Sequence, residues 1–303
     1  MHIGILATLG VLVTSVVTSA PAPASAQESA MPVLEAAGTE RFAMGRATVY
    51  HSPGYAAWAR LVATRANAMA GVLDDSLGLA FPFRVAVLEP AQWFTWSLEG
   101  GEVRWPNWQY GLPWAWPSDR LMVVPATLEA GPVIRDPADS AGNRVRLQFI
   151  ALHELGHVYA RAYFYPDSPE RWSPVGWFEE FLATCFAYGA LATLDPAGAR
   201  LAITTIAGDA SGVAPAYTDL DMMHAVFREL DPQQAGANYA WFQAQLNVQA
   251  AALLDGHGFA LMRRLRELDW DRMATWSTDT VLAQMEHMAP GFAAWAADLG
   301  STR

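Results

Sequence analysis

Two histidines and a glutamate stand close together in an apolar stretch, in the sequence H-E-L-G-H at positions 153–157. Apolar spacing predicts a helix over residues 145–163, so His153 and His157, four positions apart, project from one helix face and can bind one cation. Neutral imidazole nitrogens suit Zn²⁺ and leave room for a third ligand and a water molecule. Glu154 can accept a proton from that water. The five residues therefore predict a metal site with hydrolytic chemistry.

A metal site of this kind needs a third ligand from elsewhere in the chain. The strong candidate is the stretch 175–183, which opens a predicted helix over residues 176–193 and places two carboxylates, Glu179 and Glu180, in an otherwise apolar sequence. Asp167 in the intervening loop is a further possibility. Burying several polar groups on such apolar helices costs several kcal/mol unless a cation compensates them.

The composition narrows the chemistry further. The chain has 303 residues, 30 of them acidic and 19 basic, for a net charge of −11, which argues against a nucleic-acid-binding protein. Every basic residue is Arg, so chemistry that requires a lysine is excluded. The single cysteine, Cys185, cannot form an internal disulfide and is expected to be a small buried residue. A metal would have to be bound by histidines and carboxylates.

The H-E-L-G-H sequence, together with P-V-G-W-F-E-E-F-L-A at positions 174–183, resembles the gluzincin zinc metallopeptidases of the MA clan. In that group the second helix reads approximately W-[LF]-x-E-G-[LF]-A and supplies a glutamate ligand, which corresponds to Glu180. Phe181 stands where the family usually has Gly. Thr184 stands where thermolysin-like members have an acid, so support for the ligand histidines is expected to come from elsewhere.

The resemblance implies one bound Zn²⁺, Glu154 as general base, and a peptide or protein substrate. Tyr239 lies 59 positions beyond Glu180, comparable to the separation at which aminopeptidase-N-like relatives place a tyrosine that stabilises the oxyanion. His224 and His257 are the alternative donors. The Gly-x-Met-Glu-Asn motif that captures a free amine is absent, so an endopeptidase is expected rather than an aminopeptidase.

The strands and helices that must position these residues indicate an α+β protein. Its expected fold is zincin-like, with a small mixed sheet over the active-site helix in the N-terminal half and a mainly helical C-terminal half. The strands are predicted at 47–51, 83–88 and 121–124, and the helices at 55–77, 145–163, 176–193, 219–230, 237–255, 258–268 and 278–287. By analogy, 121–124 is the edge strand that pairs with substrate backbone. The expected lobes are 27–163 and 164–303.

The first 26 residues are typical of a signal peptide. The apolar run from Ile3 to Val17 is too short for a membrane span, and Ala24-Ser25-Ala26 forms a small-x-small cleavage site. We therefore expect a secreted or periplasmic protein, with an uncleaved N-terminal anchor as the alternative. No other segment is long and apolar enough to cross a bilayer.

Residues 93–116 contain six of the thirteen tryptophans, interrupted by prolines. This Trp-rich segment is expected to pack over the sheet as a loop, or alternatively to line a cleft. Two other functions remain open. The substitution at Phe181 suggests a non-catalytic exported binding protein on a degenerate peptidase scaffold, with this segment as its recognition surface. A zinc hydrolase of a non-protein amide or ester is equally compatible with the ligands.

Overall fold

The computed structural model describes residues 34–35, 38–93, 113–126, 140–166 and 175–301. The predicted signal peptide, Asp167 and most of the Trp-rich segment lie outside these ranges. Within them, no helix combines the length and the apolar character that crossing a bilayer requires.

Five strands form one mixed sheet in the order β1-β2-β3-β5-β4. The strands are β1 (Glu40–Met44), β2 (Ala47–His51), β3 (Phe83–Leu88), β4 (Trp114–Trp116) and β5 (Leu121–Pro125). The three central strands, β2, β3 and β5, run parallel, whereas β1 and β4 pair antiparallel at the two edges. The three strands expected from sequence are therefore present, together with two that were not expected.

The predicted edge strand is wrong. Leu121 of β5 pairs with Arg84 of β3 on one side and with Trp116 of β4 on the other. The edge is instead the three-residue strand β4, which the sequence analysis placed in an irregular segment. Pro113 and Pro117 flank this strand, and proline is tolerated at the ends of edge strands because no ladder hydrogen bond is lost there.

Both faces of the sheet are buried. Alternate residues of each central strand face the helices, among them Val49, Val85, Val87, Met122 and Val124. The opposite face is covered by aromatic side chains that pack on Tyr50, Ala86, Leu88, Leu121 and Val123; they are Trp93, Trp114 and Trp116. These three tryptophans of the Trp-rich segment therefore pack over the sheet.

The helices are α1 (Ala56–Leu77), α2 (Ser140–Phe164), α3 (Gly176–Leu194), α4 (Pro196–Ala210), α5 (Val226–Glu229), α6 (Pro232–His257), α7 (Ala260–Arg266), α8 (Thr278–Met288) and α9 (Phe292–Ser301). The prediction missed α4 and α9, and it joined α5 to a separate 3₁₀ turn at Leu220–Met222. Helix α4 has a weak apolar stripe, but Asp195 accepts a hydrogen bond from Gly198 N–H as an N-cap and Pro196 follows it, which together mark a helix start.

Helix α3 lies at the centre of the molecule, packed against α2 and α6. Nearly all of its side chains are buried, and one hydrophobic cluster runs through the sheet and the helices of both halves. The chain is thus a mixed α+β protein, with a small mixed sheet in its N-terminal half and a mostly helical C-terminal half. At that level the predicted fold class is confirmed.

Candidate metal centre

His153 and His157 on α2 meet Glu180 on α3 in a buried cluster that could hold a metal ion. Oε2 of Glu180 lies 3.0 Å from Nε2 of His153 and 3.5 Å from Nε2 of His157. The two imidazole rings stand perpendicular, with centroids 4.8 Å apart. Two nitrogens and one carboxylate oxygen therefore converge on one point.

The spacing of these donors fits a small divalent cation. The three ligand atoms all lie within 4.8 Å of one another. A tetrahedral zinc ion with bonds of about 2.0–2.2 Å separates its ligands by roughly 3.3–3.6 Å, close to the observed distances. Among the described residues, three donors would leave a fourth position of a bound ion open, as in catalytic rather than structural zinc sites.

Gly156, inside the H-E-L-G-H sequence, is what lets α3 come this close to α2. A Cβ atom at this position would overlap the backbone carbonyl of Ala183 on α3. Ala183 lies one turn beyond Glu180, so the close approach of the two backbones places the carboxylate beside the histidines. Any larger residue at position 156 would push the third ligand away.

Glu179 lies outside the cluster, although it is adjacent to Glu180. It is buried and forms an ion pair with Arg161 on α2, with Oε2 and Nε separated by 3.3 Å. Successive residues on a helix differ in direction by about 100°, so only one of the two carboxylates can face the histidines. The alternative ligand Glu179 instead connects α3 to α2 one turn beyond His157.

Glu154 is buried next to these three side chains. Burial raises the pKa of its carboxyl to about 8, with a further contribution from the charge of Glu180, while His157 acts in the opposite direction. Burial also lowers the pKa of His153. For His157 burial acts in the same sense, but the carboxylates of Glu180, Glu154 and Glu179 together outweigh it and raise the pKa to about 9. Glu154 therefore has the raised pKa that suits a group exchanging protons near neutral pH.

Tyr239 on α6 lies at the edge of the cluster. Gln243, one turn later, donates from Nε2 to the Tyr239 hydroxyl at 2.9 Å and to Oε2 of Glu180 at 2.6 Å. Burial and the charge of Glu180 raise the pKa of Tyr239 well above its ordinary value. The phenol therefore keeps its proton and remains a hydrogen-bond donor.

The two alternative donors lie in different places. His224 stacks against Tyr239, and its Nε2 lies 3.5 Å from Oε1 of Glu180, with half of the side chain exposed. It packs against Gly176 at the start of α3, where a Cβ would overlap the imidazole. His257 is exposed at the end of α6, 18 residues beyond Tyr239 and so roughly 27 Å away along the helix. His257 therefore does not reach the cluster.

Thr184 supports a ligand histidine directly, contrary to the expectation that support would come from elsewhere. Its Oγ1 lies 3.1 Å from Nδ1 of His153 and donates to Oδ1 of Asn247 on α6 at 2.8 Å. Asn247 and Gln243 were missed by the sequence analysis. The signal was present, since Tyr239, Gln243 and Asn247 are spaced four apart and form one polar stripe on α6.

Phe181, where the gluzincin pattern has Gly, does not disturb the ligands. Its ring is fully buried and packs in the core, 6.1 Å from the ring of Phe178 and 5.4 Å from that of Phe292. The close approach of backbones that a glycine permits occurs at Gly156 instead. Cys185 is buried as expected, and burial raises the pKa of its thiol.

No family model, no curated protein and no solved structure matches the chain.

Proposed function

We propose that the protein is an exported, zinc-dependent peptide hydrolase with a zincin-like fold, similar to the gluzincins. One observation carries the proposal: three ligand side chains from two helices converge at the spacing of a single small cation, with a buried carboxyl next to them. A set of buried groups like this is costly to assemble unless they act on a ligand.

Each residue of the cluster has a role that amide hydrolysis requires. Zinc held by His153, His157 and Glu180 would polarise a carbonyl and lower the pKa of water. Glu154, in its carboxylate form, would accept the proton of the attacking water and return it to the leaving amine. Tyr239 keeps its proton and donates a hydrogen bond to the carbonyl oxygen as negative charge develops.

A peptide is the favoured substrate class. The resemblance of the two motifs is to peptidases, and the chain has no Gly-x-Met-Glu-Asn sequence to bind a free amino terminus. This absence favours an endopeptidase over an aminopeptidase. The predicted signal peptide supports an activity outside the cytoplasm.

The decisive experiment compares the purified protein with Glu154→Gln. We expect about one zinc ion per chain in both, and turnover of peptides reduced about 10²–10⁴-fold in the variant, because the general base is lost. Metal content by mass spectrometry and cleavage of an unbiased peptide library are the measurements. Glu229→Gln, an exposed carboxylate on α5, is the matched control and should cleave at the normal rate.

Other outcomes would select other functions. Full activity in Glu154→Gln would contradict the proposed mechanism. Bound zinc without peptide cleavage, but with hydrolysis of small amides or esters, would indicate a non-protein substrate. Bound zinc without any hydrolysis would favour the exported binding protein. The core position of Phe181, whose ring leaves the ligand set intact, removes the main reason for that last interpretation.

A further inference from the structure

Thr184 and Asn247 form a hydrogen-bonded chain that ends on a ligand histidine. Asn247 lies on α6, Thr184 on α3 and His153 on α2, so the chain joins three helices. Thr184 is fully inaccessible and Asn247 is 4% exposed. Solvent therefore does not compete for these hydrogen bonds, and each partner depends on the next.

The direction of each hydrogen bond follows from the donors available. A threonine hydroxyl has one proton, and an amide oxygen can only accept. The Thr184 proton is donated to Oδ1 of Asn247. The Thr184 oxygen can then only accept from His153, so Nδ1 of His153 must carry the imidazole proton. Nε2, which lies 3.0 Å from Oε2 of Glu180, is left with its lone pair, and the two lone pairs repel unless a cation lies between them.

We propose that Thr184 and Asn247 are positioning residues that hold His153 as the Nδ1–H tautomer, with the Nε2 lone pair directed at the cation. The inference rests on the proposed function, in that a cation binds at this cluster. A ligand histidine that is fixed in the correct tautomer and orientation binds metal more tightly. The chain orients His153 without a charged group.

The absence of charge on Thr184 and Asn247 matters because several carboxylates already lie near His153. Glu154 is buried beside His153, the side chain of Glu180 is only 12% exposed, and Glu179 is buried on the adjacent position of α3. A further carboxylate at position 184 would add negative charge to a poorly hydrated region. A hydroxyl backed by an amide sets the tautomer without that cost.

His157 provides an internal contrast. Its Nδ1 is buried and has no hydrogen-bond partner in the part of the chain that the structure describes. The tautomer of His153 is therefore set by a specific bond that His157 lacks. Removing the hydroxyl of Thr184 should change the behaviour of one ligand histidine and spare the other.

The test is the zinc affinity of four variants, measured by competition with a chromogenic chelator. We expect Thr184→Val, which keeps the shape and loses the hydroxyl, to bind zinc about 10–100-fold more weakly. Thr184→Ser should restore binding to within about threefold. Asn247→Leu should bind about tenfold more weakly, because the hydroxyl can then turn its proton toward His153. Thr193→Val is the control, since Thr193 bonds to a backbone carbonyl of its own helix.

A second measurement reads the tautomer itself, by NMR of the zinc-loaded protein labelled with ¹⁵N-histidine. His153 should show a slowly exchanging Nδ1–H proton in the wild type and in Thr184→Ser, but not in Thr184→Val, while the His157 signals stay unchanged. Should Thr184→Val fail to fold, Thr184→Ser and Asn247→Leu decide the question.

Two results would overturn the proposal: wild-type zinc affinity in both Thr184→Val and Asn247→Leu, or no slowly exchanging Nδ1–H proton on His153 in the zinc-loaded wild type. Failure of the proposed function is distinguishable. It would appear as a wild-type protein that binds no zinc, or that binds zinc without hydrolysing peptides, whereas failure of this proposal appears as variants that bind zinc as tightly as the wild type.

Discussion

Helices α2 and α6 both pack against α3, but they serve the candidate site in different ways. Helix α2 supplies His153, Glu154 and His157 within five consecutive positions. Helix α6 supplies no ligand, yet Tyr239, Gln243 and Asn247 reach the ligand cluster from one stripe of its surface. The candidate ligands of α2 form a short sequence motif, because one helix turn must present them together. The supporting residues of α6 form only a periodic pattern of polar positions.

The largest effect is expected from the two neighbouring carboxylates of α3. Glu180→Gln removes a charged ligand, and zinc affinity should fall on the order of 10³-fold. Glu179→Gln breaks a buried ion pair with Arg161 and should lower the free energy of unfolding by about 3–5 kcal/mol, with zinc binding retained. Zinc titration and urea denaturation of both variants measure the difference. Loss of zinc in Glu179→Gln alone, with Glu180→Gln still loaded, would reverse the ligand assignment.

A smaller effect, and one on turnover rather than on metal, is expected from the α6 stripe. Tyr239→Phe removes the proposed donor to the developing oxyanion, so kcat should fall about 10²-fold while zinc affinity is unchanged. Tyr188→Phe is the matched control, because that hydroxyl donates to Asp255. If Tyr239→Phe turned over normally and His224→Ala did not, the donor would be His224.

The last expected effect is a dependence of zinc affinity on pH. The nearby carboxylates, chiefly Glu180, together overcome burial and raise the pKa of His157 to about 9, so this histidine binds a proton below that pH. Zinc must displace that proton, and affinity should therefore fall about tenfold for each pH unit between about pH 8 and 6. Competition titrations across this range give the slope. An affinity independent of pH would show that His157 is already neutral before zinc binds and has no proton to lose.

The sequence predicted the candidate ligands of the site better than it predicted the strand order of the sheet. The ligand candidates could be found because helix geometry ties their spacing to one face. The choice between Glu179 and Glu180 depended on which side of α3 faces α2, which the sequence left open and the resemblance alone resolved. The edge strand was assigned wrongly at 121–124, because strand order depends on pairing with distant segments and β4 is only three residues long.

Sequence by itself determined the chemical groups and the helices that carry them. These are two imidazoles and a carboxyl on one turn of an apolar helix, with further carboxylates on the next helix. These follow from periodicity, which is a property of neighbouring residues. Only the tertiary structure decided which atoms meet. The bonds from Thr184 to Asn247 and from Gln243 to Glu180 each join residues 63 positions apart. Such contacts depend on how closely three helices pack, and the close approach of α2 to α3 requires the absence of a side chain at Gly156.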